Sequence, residues 1–395
     1  MKTNRLILDK NGRAVVMPAL LRAVKSREKE MVRLLEKFVR CESPSRDKRA
    51  VDKMGQLVAA EWRRRGANVQ ILRQLERGNH VWAELWAGEG KPAKQILVLG
   101  HLDTVYPKGT LAKTPFRVAG GRAWGPGTFD MKAGLVLALF AADALQMASI
   151  RLRKRIVFLW TSDEEIGSTT SRSAIEREAR RSDTVLVLEP AFADGRLKTS
   201  RKGVGTAEVI VSGREAHAGI NPEQGVNAVH ELALQIERLM KMNDWRRGIT
   251  VQATMVEGGT ASNVVPQHAR AEVDLRFARL ADARMLDRKI HGLRPILEGA
   301  HVEVRGGVNR PPLERTASVR ALFRQAQSLM WQMSLALDEA ATGGGSDGNL
   351  TAALGVPTLD GLGAVGDGAH SPREHVIIRA LPERAALVAG LLATV

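Results

Sequence analysis

The sequence is poor in cysteine and aromatic residues. Among 395 residues there is one tyrosine and one cysteine, Cys41. A single cysteine cannot form a disulfide within the chain, so nothing here requires an oxidising compartment. No apolar run is long enough to cross a bilayer, and a membrane protein is therefore not expected. The apolar stretch 14–21 contains Pro18 and is followed by charged residues instead of a small-residue cleavage site, so we expect a mature cytoplasmic protein.

Acidic residues are outnumbered by basic ones. The chain has 59 Lys and Arg against 43 Asp and Glu, a net charge of +16. Such an excess occurs in nucleic-acid-binding proteins. Here the basic residues are spread along the chain, and no zinc-finger, RNP-like or glycine-clamp motif is present. We therefore expect no nucleic-acid partner and favour attraction of a small anionic substrate, with nucleic-acid binding as a minor alternative.

Three apolar runs are nearly continuous, which is typical of strands buried on both faces of a parallel sheet. They cover residues 95–100 (QILVLG), 156–160 (IVFLW) and 184–188 (TVLVL). An apolar helix is predicted between the first two, over 133–147, and a polar helix between the last two, over 170–181. This alternation predicts an α/β fold, namely a three-layer catalytic domain with a mostly parallel sheet.

After Pro190 the pattern changes to alternating strands and amphipathic helices. Strands are predicted at 206–212, 250–256, 269–277 and 301–305, and helices at 225–240 and 281–297. This pattern predicts a smaller α+β insertion domain over 202–312, which interrupts a catalytic domain formed by 1–201 and 313–395. The last part is predicted to contain a helix at 318–333, a glycine-rich loop at 343–348, a short strand and a final helix.

Histidine and carboxylates follow each of the three buried strands. They are His101 and Asp103 after the first strand, Glu164 and Glu165 after the second, and Glu189 after the third, with Asp130 in the loop before the apolar helix. Ligands of open α/β sheets bind outside the carboxyl ends of the strands, so these side chains are expected to meet. Clustered carboxylates repel one another, which indicates a bound cation. Imidazole with carboxylates suits zinc best, and cobalt or manganese are alternatives.

Several segments resemble a known family in the correct order along nearly the whole chain. They are LGHLDTVYPKGTLAKTPFRVAGGRAWGPGTFDMKAG, TSDEEIGS, LEP, GREAHAGINPEQGVNA and GAHSPREH. They resemble the co-catalytic zinc peptidases that include bacterial glutamate carboxypeptidase, acetylornithine deacetylase, succinyl-diaminopimelate desuccinylase and aminoacylase. The motifs HLDTVYPKGTLAKTPF and GGGSDG are most similar to the glutamate carboxypeptidase branch.

The resemblance implies two metal sites that share one carboxylate. His101 and Glu189 would hold one zinc ion, Glu165 and His370 the other, and Asp130 would bridge them. Asp103 would orient the imidazole of His101. The resemblance also implies a cis peptide bond between Asp130 and Met131.

The resemblance further implies a catalytic base and a mechanism. Glu164 would take a proton from a water bridging the two ions, so that hydroxide attacks the amide carbon, and would pass the proton to the leaving amine. Because Glu164 and Glu165 are adjacent, we expect them to point in different directions at a strand end, one as base and one as ligand.

The insertion domain would supply substrate contacts and the dimer contact. His217 corresponds to a family histidine that reaches the partner subunit's active site and stabilises the oxyanion, which implies a homodimer. Arg276 and Asn263 fall where the family binds the substrate's free carboxylate, and a guanidinium pairs well with that group. Gly345 and Ser346 of the glycine-rich loop would add backbone donors.

Taken together, the sequence predicts a metal-dependent hydrolase that cleaves the amide bond to a C-terminal amino acid, glutamate or a similar one, in an N-acyl or peptidyl substrate. An aminoacylase, dipeptidase or deacetylase of the same family is the first alternative. A non-catalytic binding protein is less expected, because the base, the bridge and all four terminal ligands are present.

Overall fold

We describe a computed structural model of the chain, which describes residues 7, 12, 14–85, 94–150 and 152–395. The chain divides into two compact units. The first comprises Met1–Thr199, Arg315–Ala341 and Ser346–Val395, and the second comprises Ser200–Glu314 and Thr342–Gly345. Within the described ranges, no helix combines the length and the apolar character that a membrane span needs.

Strands and helices alternate along most of the first unit, whereas the strands of the second unit form an antiparallel sheet. The α-helices are α1 (Met17–Lys25), α2 (Glu28–Val39), α3 (Lys48–Arg64), α4 (Thr110–Lys113), α5 (Ala133–Met147), α6 (Arg172–Arg180), α7 (Ala228–Met240), α8 (Leu280–His291), α9 (Ala317–Trp331), α10 (Gly348–Ala353) and α11 (Ala380–Thr394). The strands are β1 (Asn68–Leu72), β2 (His80–Leu85), β3 (Gln95–His101), β4 (Arg117–Ala119), β5 (Arg122–Trp124), β6 (Arg155–Thr161), β7 (Ser182–Val187), β8 (Leu197–Arg201), β9 (Gly203–Ser212), β10 (Thr250–Gly258), β11 (His268–Phe277), β12 (His301–Arg310), β13 (Glu339–Thr342), β14 (Thr358–Leu359), β15 (Gly366–Asp367) and β16 (His375–Ile377).

The first unit is built around a sheet with the strand order β1-β2-β6-β3-β7-β14. The pairs from β6 to β14 are parallel, whereas β1 and β2 add an antiparallel edge. The predicted α/β fold with a mostly parallel sheet is therefore confirmed. Since β3 lies between β6 and β7, its carboxyl end has the ends of both neighbours beside it.

Helices cover both faces of this sheet. Along β3, Ile96 and Val98 face a large core that includes side chains of α1, α2, α3, α5, α9 and α11. Leu97 and Leu99 face the other side, where α6 and α10 pack. Side chains that alternate between two buried faces explain why the three predicted strands have continuous apolar sequences.

A second, smaller sheet of the first unit joins two loops. Its order is β15-β16-β5-β4, with antiparallel pairing throughout. Trp124 at the end of β5 is paired with His375 at the start of β16. The loop that follows β5 therefore lies beside the loop that precedes β16.

The second unit has a sheet with the order β10-β11-β9-β12, in which all neighbours are antiparallel. Alternate residues of these strands, such as Val209, Val211 and Val273, form a core with buried side chains of α7 and α8. The sequence predicted these strands and helices, but α8 ends at His291 and not near residue 297. Residues 293–300 form an irregular segment in place of the last predicted turns.

Candidate metal centre

The first imidazole of the candidate site belongs to the last residue of the central strand. His101 ends β3 and is buried, with 1% of its surface exposed. Its Nδ1 lies 2.9 Å from the carbonyl oxygen of Asp103 and 3.5 Å from the Oδ1 of Asp103. Asp103 thus contacts the imidazole through its main chain more closely than through its carboxylate. A proton on Nδ1 would leave Nε2 as the free lone pair that faces the cluster.

Two acidic segments lie on either side of His101. Glu164 and Glu165 begin a single 3-10 turn, Glu164–Ile166, which is separated from the end of β6 by two residues. The sequence predicted that the two carboxylates diverge at an extended strand end. They lie instead on a helical turn. Asp103 accepts hydrogen bonds from the backbone N–H groups of both glutamates, each at 3.3 Å. Glu189 follows β7 on the other side and is buried.

Asp130 lies in an irregular turn between the small sheet and helix α5. Gly127 before it has φ of 72°, and a Cβ there would lie 2.8 Å from the side chain of Thr104, so glycine suits this position. The peptide bond from Asp130 to Met131 is cis, as the resemblance implied. The turn presents the carboxylate of Asp130 toward the carboxyl end of β3.

His370 lies in the loop between β15 and β16. Its backbone has φ of 60°, which is uncommon for a residue with a side chain. About half of the His370 side chain, 49%, is exposed, in contrast to the buried His101. The two imidazoles therefore differ in their access to solvent.

Each carboxylate oxygen of Asp130 faces a different histidine. Asp130 Oδ1 lies 3.2 Å from Nε2 of His101, and Oδ2 lies 3.3 Å from Nε2 of His370. His101 Nε2 is also 3.4 Å from Oε1 of Glu189. His370 Nε2 is also 3.3 Å from Oε2 of Glu165. Two clusters of one imidazole and one terminal carboxylate thus share Asp130.

These separations fit the donor set of a zinc ion. Zinc with tetrahedral ligands at about 2.0–2.1 Å separates neighbouring donor atoms by about 3.3 Å. Within the part of the chain that the structure describes, Oε1 of Glu165 is buried and has no hydrogen-bond partner, which a metal bond would satisfy. Glu164 also lies close, since it, His101 and Glu189 each have a ligand atom within 4.8 Å of the others.

When no cation is bound, the carboxylates control the protonation of both imidazoles. Burial opposes the charged form of His101, but Asp103 and Asp130 outweigh this effect and raise its pKa well above the usual value. Hydrogen bonds that the protonated His370 donates to Asp130 and Glu165 raise its pKa to about 10. Burial would raise the pKa of Asp130, yet the two histidines lower it. Protons and metal ions therefore compete for the same nitrogen atoms.

The remaining predicted site residues lie in other parts of the chain. His217 is exposed in the second unit, and its Nδ1 accepts hydrogen bonds from the N–H groups of Gly219 and Ile220, at 3.1 and 3.2 Å. This contact leaves the proton on Nε2, which is then a hydrogen-bond donor. Asn263 is its neighbour, because the carbonyl oxygen of Asn263 accepts from Ala218 N at 2.9 Å.

Arg276 is already paired within the second unit. Its Nε and Nη2 each lie 2.9 Å from the carboxylate of Asp274, and Nη1 lies 3.5 Å from the carbonyl oxygen of Gly343. In the same glycine-rich loop, the carbonyl oxygen of Gly345 accepts from Arg201 at 3.3 Å. A substrate carboxylate would have to compete with Asp274 for this guanidinium.

Ser346 is buried in the first unit and has its donors in use. Its hydroxyl donates to Asp360 at 2.6 Å, and its N–H donates to the side chain of Asn349 at 3.0 Å. To bind a substrate, Ser346 would have to exchange one of these partners. This arrangement weakens the predicted role of Ser346 in substrate binding.

The sequence did not identify two residues that contact the loops of Asp130 and His370. Tyr106 and Glu374 form a hydrogen bond with each other, and Glu374 also accepts hydrogen bonds from the turn that contains Asp130. The motif HSPREH contains Glu374 four residues after His370, and Tyr106 is the only tyrosine. These positions were visible in the sequence, but their partners lie 244 to 268 residues away.

Comparison with known proteins identifies the class to which this site belongs. The profile of Peptidase family M20/M25/M40 matches residues 97–394. Carboxypeptidase G2 from Pseudomonas sp. (strain RS-16) is 33% identical over 380 residues, which cover 94% of this chain and 91% of that protein. Succinyl-diaminopimelate desuccinylase from Dechloromonas aromatica (strain RCB) is 28% identical and covers 78% of this chain and 85% of its own.

Solved structures have the same fold. Aminopeptidase PepT from Bacillus cereus ATCC 10987 has a TM-score of 0.74 at 21% identity, with 93% of this chain and 98% of that chain covered. The YXEP protein from Bacillus subtilis, described as a dinuclear metal binding peptidase, has a TM-score of 0.69 at 16% identity, with 94% and 100% covered.

The chain therefore belongs to Peptidase family M20/M25/M40. It is a metal-dependent hydrolase that cleaves amide bonds, as the sequence predicted.

We predict that the affinity for zinc rises with pH between about pH 6 and pH 8, by up to about tenfold per unit for each proton released. The reason is that His370, with its pKa raised to about 10, must lose a proton before it binds a cation. Calorimetric titration in buffers of different ionisation enthalpy counts the released protons. His370→Ala should lower that number, whereas a change at the exposed His230 should not. An affinity that is independent of pH would contradict the prediction.

Proposed function

We propose that the chain is a dizinc carboxypeptidase that releases a C-terminal amino acid, preferably an acidic one such as glutamate, from N-acyl or peptidyl substrates. The observation that carries this proposal is the position of Asp130, which turns one oxygen to His101 and the other to His370. A carboxylate in that position is suited to bridge two cations. The similarity to a carboxypeptidase supports the direction of cleavage. A cytoplasmic location is part of the proposal and is supported by the single buried cysteine.

In this proposal each ion has one histidine and one terminal glutamate. His101 and Glu189 would hold the first ion, His370 and Glu165 would hold the second, and Asp130 would contribute one oxygen to each. Mixed imidazole and carboxylate ligands favour zinc, with cobalt or manganese as alternatives. The chemistry that two such ions would supply is to acidify a water molecule and to polarise the carbonyl group of the substrate.

We assign the role of general base to Glu164. Its carboxylate lies near His101 and Glu189, whereas the carboxylate of the adjacent Glu165 faces His370. Glu164 would accept a proton from the attacking water and donate it to the nitrogen of the leaving amino acid. Asp103 supports this geometry, since its two carboxylate oxygens hold the backbone of the turn that carries both glutamates.

Glu164→Gln is expected to retain both metal ions and to lose most turnover, by at least about 100-fold in kcat, because it removes a base and no ligand. The matched change Glu165→Gln, one residue further, is expected to weaken binding of the second ion. Elemental analysis after dialysis, combined with steady-state kinetics, separates the two variants. Loss of metal from Glu164→Gln equal to the loss from Glu165→Gln would show that the division between base and ligand is wrong.

Recognition of the leaving amino acid is assigned to residues of the second unit and the glycine-rich loop. Arg276 offers a guanidinium, Asn263 an amide, and Gly345 a backbone donor to the α-carboxylate. The net charge of +16 also favours the approach of anions. The pairing of Arg276 with Asp274 is the observation that favours a second candidate, an aminoacylase or dipeptidase that releases a neutral amino acid. A deacetylase of the same family is a further alternative function.

We predict that hydrolysis requires a free α-carboxylate on the leaving amino acid and is fastest for glutamate or aspartate. Replacing a buried carboxylate contact with a neutral amide should reduce kcat/KM by about 100-fold or more. The assay compares one acyl group attached to glutamate, glutamine, leucine and glutamate α-amide. Equal cleavage of the α-amide and the free acid would contradict carboxylate recognition. Faster release of leucine than of glutamate would contradict only the side-chain preference.

The second unit is also proposed to form a homodimer and to supply His217 to the partner's active site. Strand β10 is at one edge of its sheet, and Met255 and Val256 on it are more than half exposed. Val229 of α7, which is also exposed, lies next to Gly258 at the end of β10. An exposed edge strand with apolar side chains is a template for pairing with another chain. The Nε2–H of His217 is the donor that oxyanion stabilisation requires.

Mixing His217→Ala chains with Glu164→Gln chains is expected to restore activity. In each mixed dimer one active site has an intact Glu164 and receives an intact His217, so random exchange should give about one quarter of the wild-type activity. Subunit exchange is verified by mass spectrometry of differently labelled chains. If exchange occurs and the mixture stays as inactive as its components, His217 does not act across a dimer interface.

A further inference from the structure

The carboxylate of Glu374 lies inside the turn that carries Asp130. Glu374 is buried, with 1% of its surface exposed. Its Oε1 accepts hydrogen bonds from the N–H groups of Phe129 at 2.7 Å and of Asp130 at 2.9 Å. Its Oε2 accepts from the N–H of Gly127 at 2.9 Å. Three backbone donors of one short turn thus converge on one side chain, which satisfies groups that would be costly to leave unpaired.

Tyr106 extends this contact to the other two metal-binding segments. Its hydroxyl donates to Oε2 of Glu374 and also lies 3.1 Å from the carbonyl oxygen of Ser371, the residue after His370. Tyr106 itself belongs to the segment that follows His101 and β3. The pair therefore contacts the segments of both histidines and the turn of Asp130.

The backbone of Glu374 makes one further contact with the same turn. Its carbonyl oxygen accepts from the N–H of Gly125 at 3.1 Å, beside the pairing of Trp124 with His375. The small sheet sets the distance between the two loops, and the Glu374 carboxylate then fixes the turn itself. His101 is held as part of strand β3. Asp130, in contrast, lies in a turn in which its own dihedral angles and those of Met131 are not helical.

We propose that Glu374 is a positioning residue for the reaction: it fixes the turn so that the two oxygens of Asp130 face the two metal positions, and Tyr106 supports it. This inference rests on the proposed dinuclear zinc site. A misplaced carboxylate of Asp130 would weaken the binding of both ions and would change their distance from the base. Changes at residues that orient metal ligands typically cost about 10- to 100-fold in metal affinity or activity.

The main test is Glu374→Gln. The new amide oxygen can still accept from Phe129 and Asp130, but its NH₂ group would face the N–H of Gly127. We expect the affinity for the more weakly bound zinc ion to fall by about 10- to 100-fold and kcat to fall by a similar factor, while KM changes little. Zinc affinity is measured against a chromophoric chelator. The visible absorption of the cobalt-substituted protein reports the ligand geometry independently of turnover.

Glu231→Gln is the matched control. Glu231 is also fully buried and accepts backbone N–H bonds, from Ile296 at 3.0 Å and Leu297 at 2.7 Å, but it lies in the second unit among no proposed ligand. Its replacement should lower the thermal stability and leave zinc affinity within about twofold of wild type. Equal effects of Glu231→Gln and Glu374→Gln on zinc affinity would show that Glu374 has only a structural role.

Tyr106→Phe keeps the inference testable if Glu374→Gln does not fold. It removes the hydroxyl contacts with Glu374 and Ser371 and leaves the three backbone contacts of Glu374, so a loss of zinc affinity of only about threefold, in the same direction, is expected. Wild-type zinc affinity and cobalt spectrum in Tyr106→Phe and in any folded Glu374→Gln protein would overturn the inference while the proposed function stands. A wild-type chain that binds fewer than two zinc ions would overturn both.

Discussion

The first unit gathers carboxylates at the carboxyl end of its central sheet, where their mutual repulsion must be balanced by positive charge. Asp130, Glu165 and Glu189 each place a carboxylate oxygen 3.2 to 3.4 Å from the Nε2 of an imidazole, in a region that is mostly buried. Such a cluster is stable only if cations balance it. Without metal the histidines take protons, as their raised pKa values indicate. The same nitrogen and oxygen atoms are the proposed ligands of two metal ions. The charges that the fold must balance are therefore the groups proposed to carry the chemistry.

The sheet order explains why the cluster forms where it does. Strand β3 lies between β6 and β7, so the segments that follow all three strands reach one crevice. The sequence predicted this meeting because its cause is local: continuous apolar runs indicate buried parallel strands, and the residues directly after them must lie at one edge. The same reasoning predicted β9, β10, β11 and β12 of the second unit from their alternating pattern.

What the sequence could not show depends on pairing between distant segments. Glu374 follows a recognisable motif, yet its bonds to Gly127 and Asp130 follow from the pairing of β5 with β16. Likewise, Asp360 accepts a hydrogen bond from the hydroxyl of Ser346, a contact that the spacing of the two residues in the sequence does not predict. The divergence of Glu164 and Glu165 was expected, but it arises from a helical turn, because strand β6 ends at Thr161 and both glutamates lie in the 3-10 turn that begins at Glu164.

Four of the proposed ligands therefore fall into two classes with different physical support. His101 and Glu189 come from ends of buried strands, which the core on both sides of the sheet holds in place. Asp130 and His370 come from loops, and a loop has no such core to fix it. The small sheet and the buried carboxylate of Glu374 supply that order for Asp130, while the His370 side chain stays half exposed. His101 is therefore held within the buried core, whereas His370 is open to solvent, so a ligand of the proposed site would approach from the side of His370.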